Sequence, residues 1–63
     1  MKIEIVQIKD TTSNKYFGFI KQFPSICSQG NTKEESTEKV KQYFKKIISN
    51  VTFQETETFL YGN

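Results

Sequence analysis

"PSICSQGNTKEES", residues 24–36, decides how the chain is read, because one kind of periodicity ends there and another begins. Pro24 cannot donate to a sheet ladder, so it separates the strand before it from the segment after it. Residues 25–29 read as a short strand at a sheet edge, and Gly30 supplies the tight turn out of it. Thr32 then stands three residues before Glu35. That spacing predicts a capping box, in which the Thr32 hydroxyl oxygen accepts the Glu35 amide and the Glu35 carboxylate accepts the Thr32 amide. Glu34 and Glu35 also place negative charge at the positive end of the helix dipole.

Beyond the cap, Ser36, Val40, Tyr43, Phe44, Ile47 and Ile48 recur near the helical period and form the expected buried stripe. Lys41, Lys45 and Lys46 lie away from it, in the half of the helix where cations are favoured. Ser49 and Asn50 end the helix, with Asn50 suited to a left-handed conformation. Residues 51–60 read as a last strand. Val51, Phe53 and Phe59 fall on one face of it, interrupted by Glu55 and Glu57, and threonines make the other face polar.

Upstream of Pro24 the period is two. Ile3 and Ile5 share one side of a first strand, and the apolar phase then moves to Val6 and Ile8. Such a shift marks either a bulge or a strand covered on both faces. Residues 9–15, "KDTTSNK", form a polar turn in which Asp10 and Asn14 suit local backbone bonds. Residues 15–21, "KYFGFIK", return as a second strand, so that the two make an antiparallel hairpin. Gly18, with no side chain to pack, marks a bend or a close approach. The order is β-β-β-α-β: a single α+β domain over residues 1–63, with a small, mostly antiparallel sheet and one helix on one face.

At 63 residues the core is thin, since a domain of this size buries only about 60% of its unfolded surface. One cysteine excludes an internal disulfide, and the lack of histidine excludes an ordinary zinc site. Association is the remaining remedy, so a homodimer or higher homo-oligomer is expected, with Val6, Ile8 and Ile20 as apolar surface. Glu4 and Gln7 interrupt the first apolar run too early for a secretory signal, and no stretch approaches a membrane span. A cytoplasmic protein with Cys27 as a reduced thiol is expected. The net charge of +2 comes from nine lysines against seven acids, with no arginine. Arginine supplies the rigid fork used in base readout, so specific DNA reading is not expected.

The joint, read as a whole, resembles the HicB family of antitoxins. Phe23, Pro24, Ser28, Gln29, Gly30, Asn31, Thr32, Glu34 and Glu35 keep the order of that family's pattern. The chain departs from it at Lys21-Gln22, where Pro-Asp is common, and at Ser25, Asn31 and Ser36, where glycine, aspartate and alanine are usual. The resemblance implies a truncated ribonuclease-H-like fold. It also implies a non-enzymatic function: occluding a small mRNA-cleaving toxin of the HicA type. Many family members add a C-terminal DNA-binding segment, and residues up to Asn63 contain none, so no specific DNA binding by this chain alone is expected.

The residues themselves offer few candidates for chemistry. Glu4, Glu35 and Glu57 could be cast as metal-binding acids of a vestigial nuclease, but Glu35 is better used at the cap and Glu57 on an exposed strand. Cys27 has no base near it in sequence and reads as a small apolar strand residue. No cofactor, metal or catalytic residue is expected. Gly30, Asn31, Thr32 and Glu35 are assigned to the turn and helix start. Of the nine aromatics, Phe44 and one of Phe17 and Phe19 are expected in the core. Glu55, Glu57, Phe23, Phe59 and Tyr61 are the candidate partner contacts. The competing reading is a nucleic-acid-binding module that uses helix lysines and sheet aromatics.

Overall fold

The computed structural model describes residues 2–62. Its elements are β1 (Lys2–Asp10), β2 (Lys15–Ile20), β3 (Cys27–Gly30), α1 (Lys33–Lys45) and β4 (Thr52–Tyr61). The sheet order is β3-β2-β1-β4. β1 pairs antiparallel with β2, β2 pairs antiparallel with β3, and β4 runs parallel to β1. The expected α+β class and element order hold, and β3 is an edge strand, beginning at Cys27 rather than at residue 25.

The helix lies on one face, across β2 and β3. Ile3 and Ile5 of β1, Ile20 of β2, and Val40 and Phe44 of α1 form the buried core, ringed by Ile26, Ile48, Val51 and Phe53. Only Ser36, Thr37, Val40 and Phe44 are buried along the helix. Tyr43 and Ile47, placed on the stripe by period alone, are exposed, Ile47 at 65%. The helix stops earlier than the stripe implies. The amides of Ile47 and Ile48 both donate to the Phe44 carbonyl at 2.9 Å, a tight last turn that returns Ile48 toward the core. Asn50 does not take a left-handed conformation; among the described non-glycine residues only Asn14, in the β1–β2 turn, has positive φ, at 61°.

Two glycines bring the layers together. A Cβ on Gly18 would lie 2.7 Å from the Ser36 Oγ, and one on Gly30 would lie 2.7 Å from the Ser36 backbone nitrogen. Gly30 is therefore a place of close approach at the end of β3, not the turn residue that the sequence suggested. Ser28 Oγ donates to the Ser36 carbonyl at 2.7 Å, strapping β3 to the first turns of the helix.

The apparent phase shift in β1 is neither a bulge in β1 nor a strand covered on both faces: its two apolar sets serve a helix-covered face and an open one. Ile3, Ile5 and Gln7 share the helix side, and Val6 and Ile8 point to the opposite face, where Val6 is nevertheless buried. The bulge belongs to β4. Ile5 pairs with Glu55 while Gln7 pairs with Thr58, so Thr56 and Glu57 together oppose Val6. One extra residue reverses the face of everything after it. Phe53 and Glu55 lie on the helix side; Phe59, paired with Ile8, and Tyr61, paired with Asp10, lie on the other. The single-face reading of Val51, Phe53 and Phe59 is thereby corrected. Ile20 is fully buried and Val6 nearly so, so neither is the apolar surface expected of them.

Candidate functional site

The cap forms as a variant of the expected box. The Glu35 amide donates to Thr32 Oγ1 at 3.0 Å, and Thr32 has extended backbone at the N-cap. The Glu35 carboxylate, however, accepts the Asn31 amide at 2.8 Å rather than that of Thr32. Lys39 braces the same corner, donating to the Gln29 carbonyl at 3.0 Å and pairing with Glu35 at 3.8 Å. Gly30, Asn31, Thr32 and Glu35 therefore build the joint, held by the Asn31 backbone amide, the Thr32 hydroxyl and the Glu35 carboxylate.

The three acids considered as metal ligands are kept apart by the fold. Glu4 stands on the face away from the helix, 3.4 Å from Lys21; Glu35 caps α1; Glu57 is in the bulge. Among the described residues no three His, Cys, Asp or Glu side chains gather in a way that could hold a metal ion. Cys27 is an exposed free thiol on the edge strand, not a packed apolar residue.

Glu55 has a partner that its place in the sequence conceals. Gln7 Nε2 donates to Thr37 Oγ1 at 2.8 Å, and Thr37 Oγ1 donates to Glu55 Oε1, also at 2.8 Å. The relay crosses from β1 through the helix to β4. It ends in a groove of about 420 Å³ between α1 and β4, lined by Lys33, Glu34, Thr37, Glu38, Phe53 and Glu55. Lys41 and Lys45 fold back over this side, each ammonium 5.9 Å from the centre of the Phe53 ring. Phe53 in turn meets Phe44 edge-on at 6.1 Å. Glu55 is thus part of the fold's own polar network, and of the two strand glutamates only Glu57 makes no hydrogen bond or ion pair among the described residues. Phe23 is likewise partly committed: its ring stacks on Phe44 at 5.9 Å.

Among the described residues, no element packs on the sheet face opposite the helix. Register places Phe17, Ile8 and Phe59 in one row across β2, β1 and β4, with Cys27, Phe19 and Val6 in another. Ile8, Asp10, Phe17 and Tyr61 line an apolar hollow of about 370 Å³. Phe17, Phe59 and Tyr61 are exposed there, so both terminal-strand aromatics proposed from sequence meet on this surface, whereas Phe23 and Glu55 do not. Phe17 is the member that sequence reasoning missed. One of Phe17 and Phe19 was expected in the core, but the two share the face that the helix leaves open and neither belongs to the core cluster.

At the margin of this face the Asp10 carboxylate accepts the Thr12 hydroxyl at 2.6 Å and the Thr12 amide at 2.9 Å. Those hydroxyl and amide bonds stabilise the anion and hold its pKa below the ordinary carboxylate value. Among the described residues no helix is long and apolar enough to cross a membrane.

No protein-family model matches the chain, and neither a curated protein nor a solved structure does.

Proposed function

We propose that this is a non-catalytic, partner-binding domain of the antitoxin kind, which inhibits a small mRNA-cleaving toxin by covering its active site. The observation that carries the reading is the open aromatic face, where Phe17, Phe59 and Tyr61 surround an apolar hollow with no helix over it. Large aromatic side chains in a shallow hollow are the usual anchors of a protein interface. The resemblance of Phe23–Glu35 to HicB antitoxins names the class of partner and, with it, a truncated ribonuclease-H-like ancestry for the fold. Glu57 adds one uncommitted negative charge beside the aromatic row, suited to a basic RNA-binding toxin.

The nucleic-acid reading is weaker on geometry. It needs cations beside stacking rings. The helix lysines lie on the other side of the sheet, and Lys39, Lys41 and Lys45 are engaged with Gln29, Glu35 and Phe53. On the aromatic face itself two flanking cations each stand next to an acid, Lys15 opposite Asp10 and Lys21 3.4 Å from Glu4.

The test is co-expression with the product of the adjacent open reading frame, followed by an RNA-cleavage assay. The complex should co-purify and suppress cleavage, and the domain alone with magnesium or manganese should leave RNA intact. Phe17→Ser with Tyr61→Ser should abolish inhibition without unfolding the domain. Inhibition unchanged in that folded double variant, or RNA cleavage by the domain itself, would overturn the reading.

A further inference from the structure

The outer edge of β4 adjoins the aromatic face and shares Phe59 and Tyr61 with it, but its backbone groups do not depend on the antitoxin reading. β4 is a ten-residue edge strand containing no lysine and no proline, the residues that commonly blunt a sheet edge. Its only charges, Glu55 and Glu57, lie at or before the bulge. Past the bulge come three exposed apolar side chains in succession: Phe59 at 50%, Leu60 at 73% and Tyr61 at 69%.

The direction of the backbone groups is fixed by one bond. The Tyr61 carbonyl accepts the Thr11 amide at 2.8 Å, so Tyr61, and with it Phe59, turns its backbone toward the β1 side. A residue's N–H and C=O point to the same edge, and the edges alternate along a strand. The backbone groups of Thr58 and Leu60 therefore point outward, away from the sheet.

We infer that this edge pairs with the same edge of a second copy, antiparallel and about a two-fold axis at Leu60. The occupant is a second copy because the strand complements itself in this register and in no neighbouring one so well. With Leu60 opposite its equivalent, the two residues exchange both backbone bonds. Phe59 then stands beside the partner copy's Tyr61 on the aromatic face, in a non-hydrogen-bonded pair where side chains come closest. Glu55 and Glu57 lie outside the paired segment. A register shifted toward the middle of β4 sets glutamates against aromatics and runs into the bulge. The result is a continuous eight-stranded sheet with both helices on one side and the two aromatic faces joined on the other. The three side chains supply roughly 400 Å² per protomer, about half of a standard interface, so the dimer is expected to form at micromolar concentration or above.

Sedimentation equilibrium and cysteine cross-linking test this. The full chain should show a concentration-dependent monomer–dimer equilibrium. Leu60→Pro removes an outward-facing N–H, a position where an edge strand tolerates proline, and should abolish the dimer without loss of the fold. Leu60→Lys should weaken it by about tenfold or more. In a Cys27→Ser background, Leu60→Cys should form an intermolecular disulfide under mild oxidation, because residues facing each other in a hydrogen-bonded pair lie about 5.5 Å apart. Thr58→Cys should not. A protein that stays monomeric at several hundred micromolar overturns the inference. So does a dimer that survives both Leu60 variants, or cross-linking at residue 58 equal to that at residue 60.

Discussion

At the scale of single residues, stability depends on a few polar atoms placed where the backbone would otherwise lack a partner. Thr32 Oγ1 satisfies the Glu35 amide at the start of α1. Thr32→Ala should lower stability by about 1 kcal/mol in urea denaturation, the usual worth of an N-cap hydroxyl, and Thr32→Ser should recover most of it. An unchanged midpoint for the alanine variant would remove Thr32 from that role. Asp10 gives a pH-dependent counterpart. Its pKa is lowered in the folded state, first by the Thr12 hydroxyl and then by the Thr12 amide. Its contribution is therefore present above the unfolded pKa and is lost as the pH falls through the folded one. Asp10→Asn should flatten this part of the acid limb, so melts of variant and parent should differ less at pH 3 than at pH 7. A difference that grows on acidification would contradict the assignment. Both residues were legible from sequence, because their partners are two or three positions away. Gly30 was not: its neighbour is the Ser36 backbone, and only the descent of the helix onto β3 makes a side chain there impossible.

At the scale of elements, the bulge in β4 has the widest consequence. It places Thr56 and Glu57 opposite Val6, so the register on both sides of it is kept although the face is reversed. Deleting a residue inside a strand ordinarily turns every later side chain to the wrong face. Here deletion of Glu57 should do the opposite: it removes the extra residue and leaves Phe59 paired with Ile8. The shortened protein should fold with Phe59 still on the aromatic face, detectable as an unchanged nuclear Overhauser contact between the two strands. Loss of that contact in a folded variant would show that the bulge does not absorb the deletion. The same bulge explains why Glu55 and Glu57, alike in sequence, differ in role. Glu55 precedes the reversal and ends the relay through Thr37, whereas Glu57 sits inside it.

For the whole molecule, the limiting quantity is the size of the core. Phe44 is its centre, 1% exposed and in contact with both the Phe23 and Phe53 rings. A single core of this size rarely supplies more than about 3–5 kcal/mol, and Phe→Ala in a core costs about 3–5 kcal/mol. Phe44→Ala should therefore be largely unfolded at 25 °C by circular dichroism, and a cooperative melt near that of the parent would show stabilisation from elsewhere. Tyr43→Ala, on the adjacent but exposed position, should change little. The pair distinguishes the buried row of α1 from the wider stripe that periodicity alone suggested.

Local sequence was enough to specify the elements and their order, the start of the helix and the hairpin turn, since each rests on residues within a few positions of one another. Which residues lie on the open face of the sheet was set by long-range pairing instead. β4 pairs with β1 across some fifty residues of chain, and the mismatch between the two strands, not the local alternation of β4, sets the side on which Phe59 and Tyr61 emerge. The faces of Phe17 and Phe19 were likewise undetermined until α1 settled over Ile5 and Ile20. A period of two states that neighbours point opposite ways; it does not state which way is in.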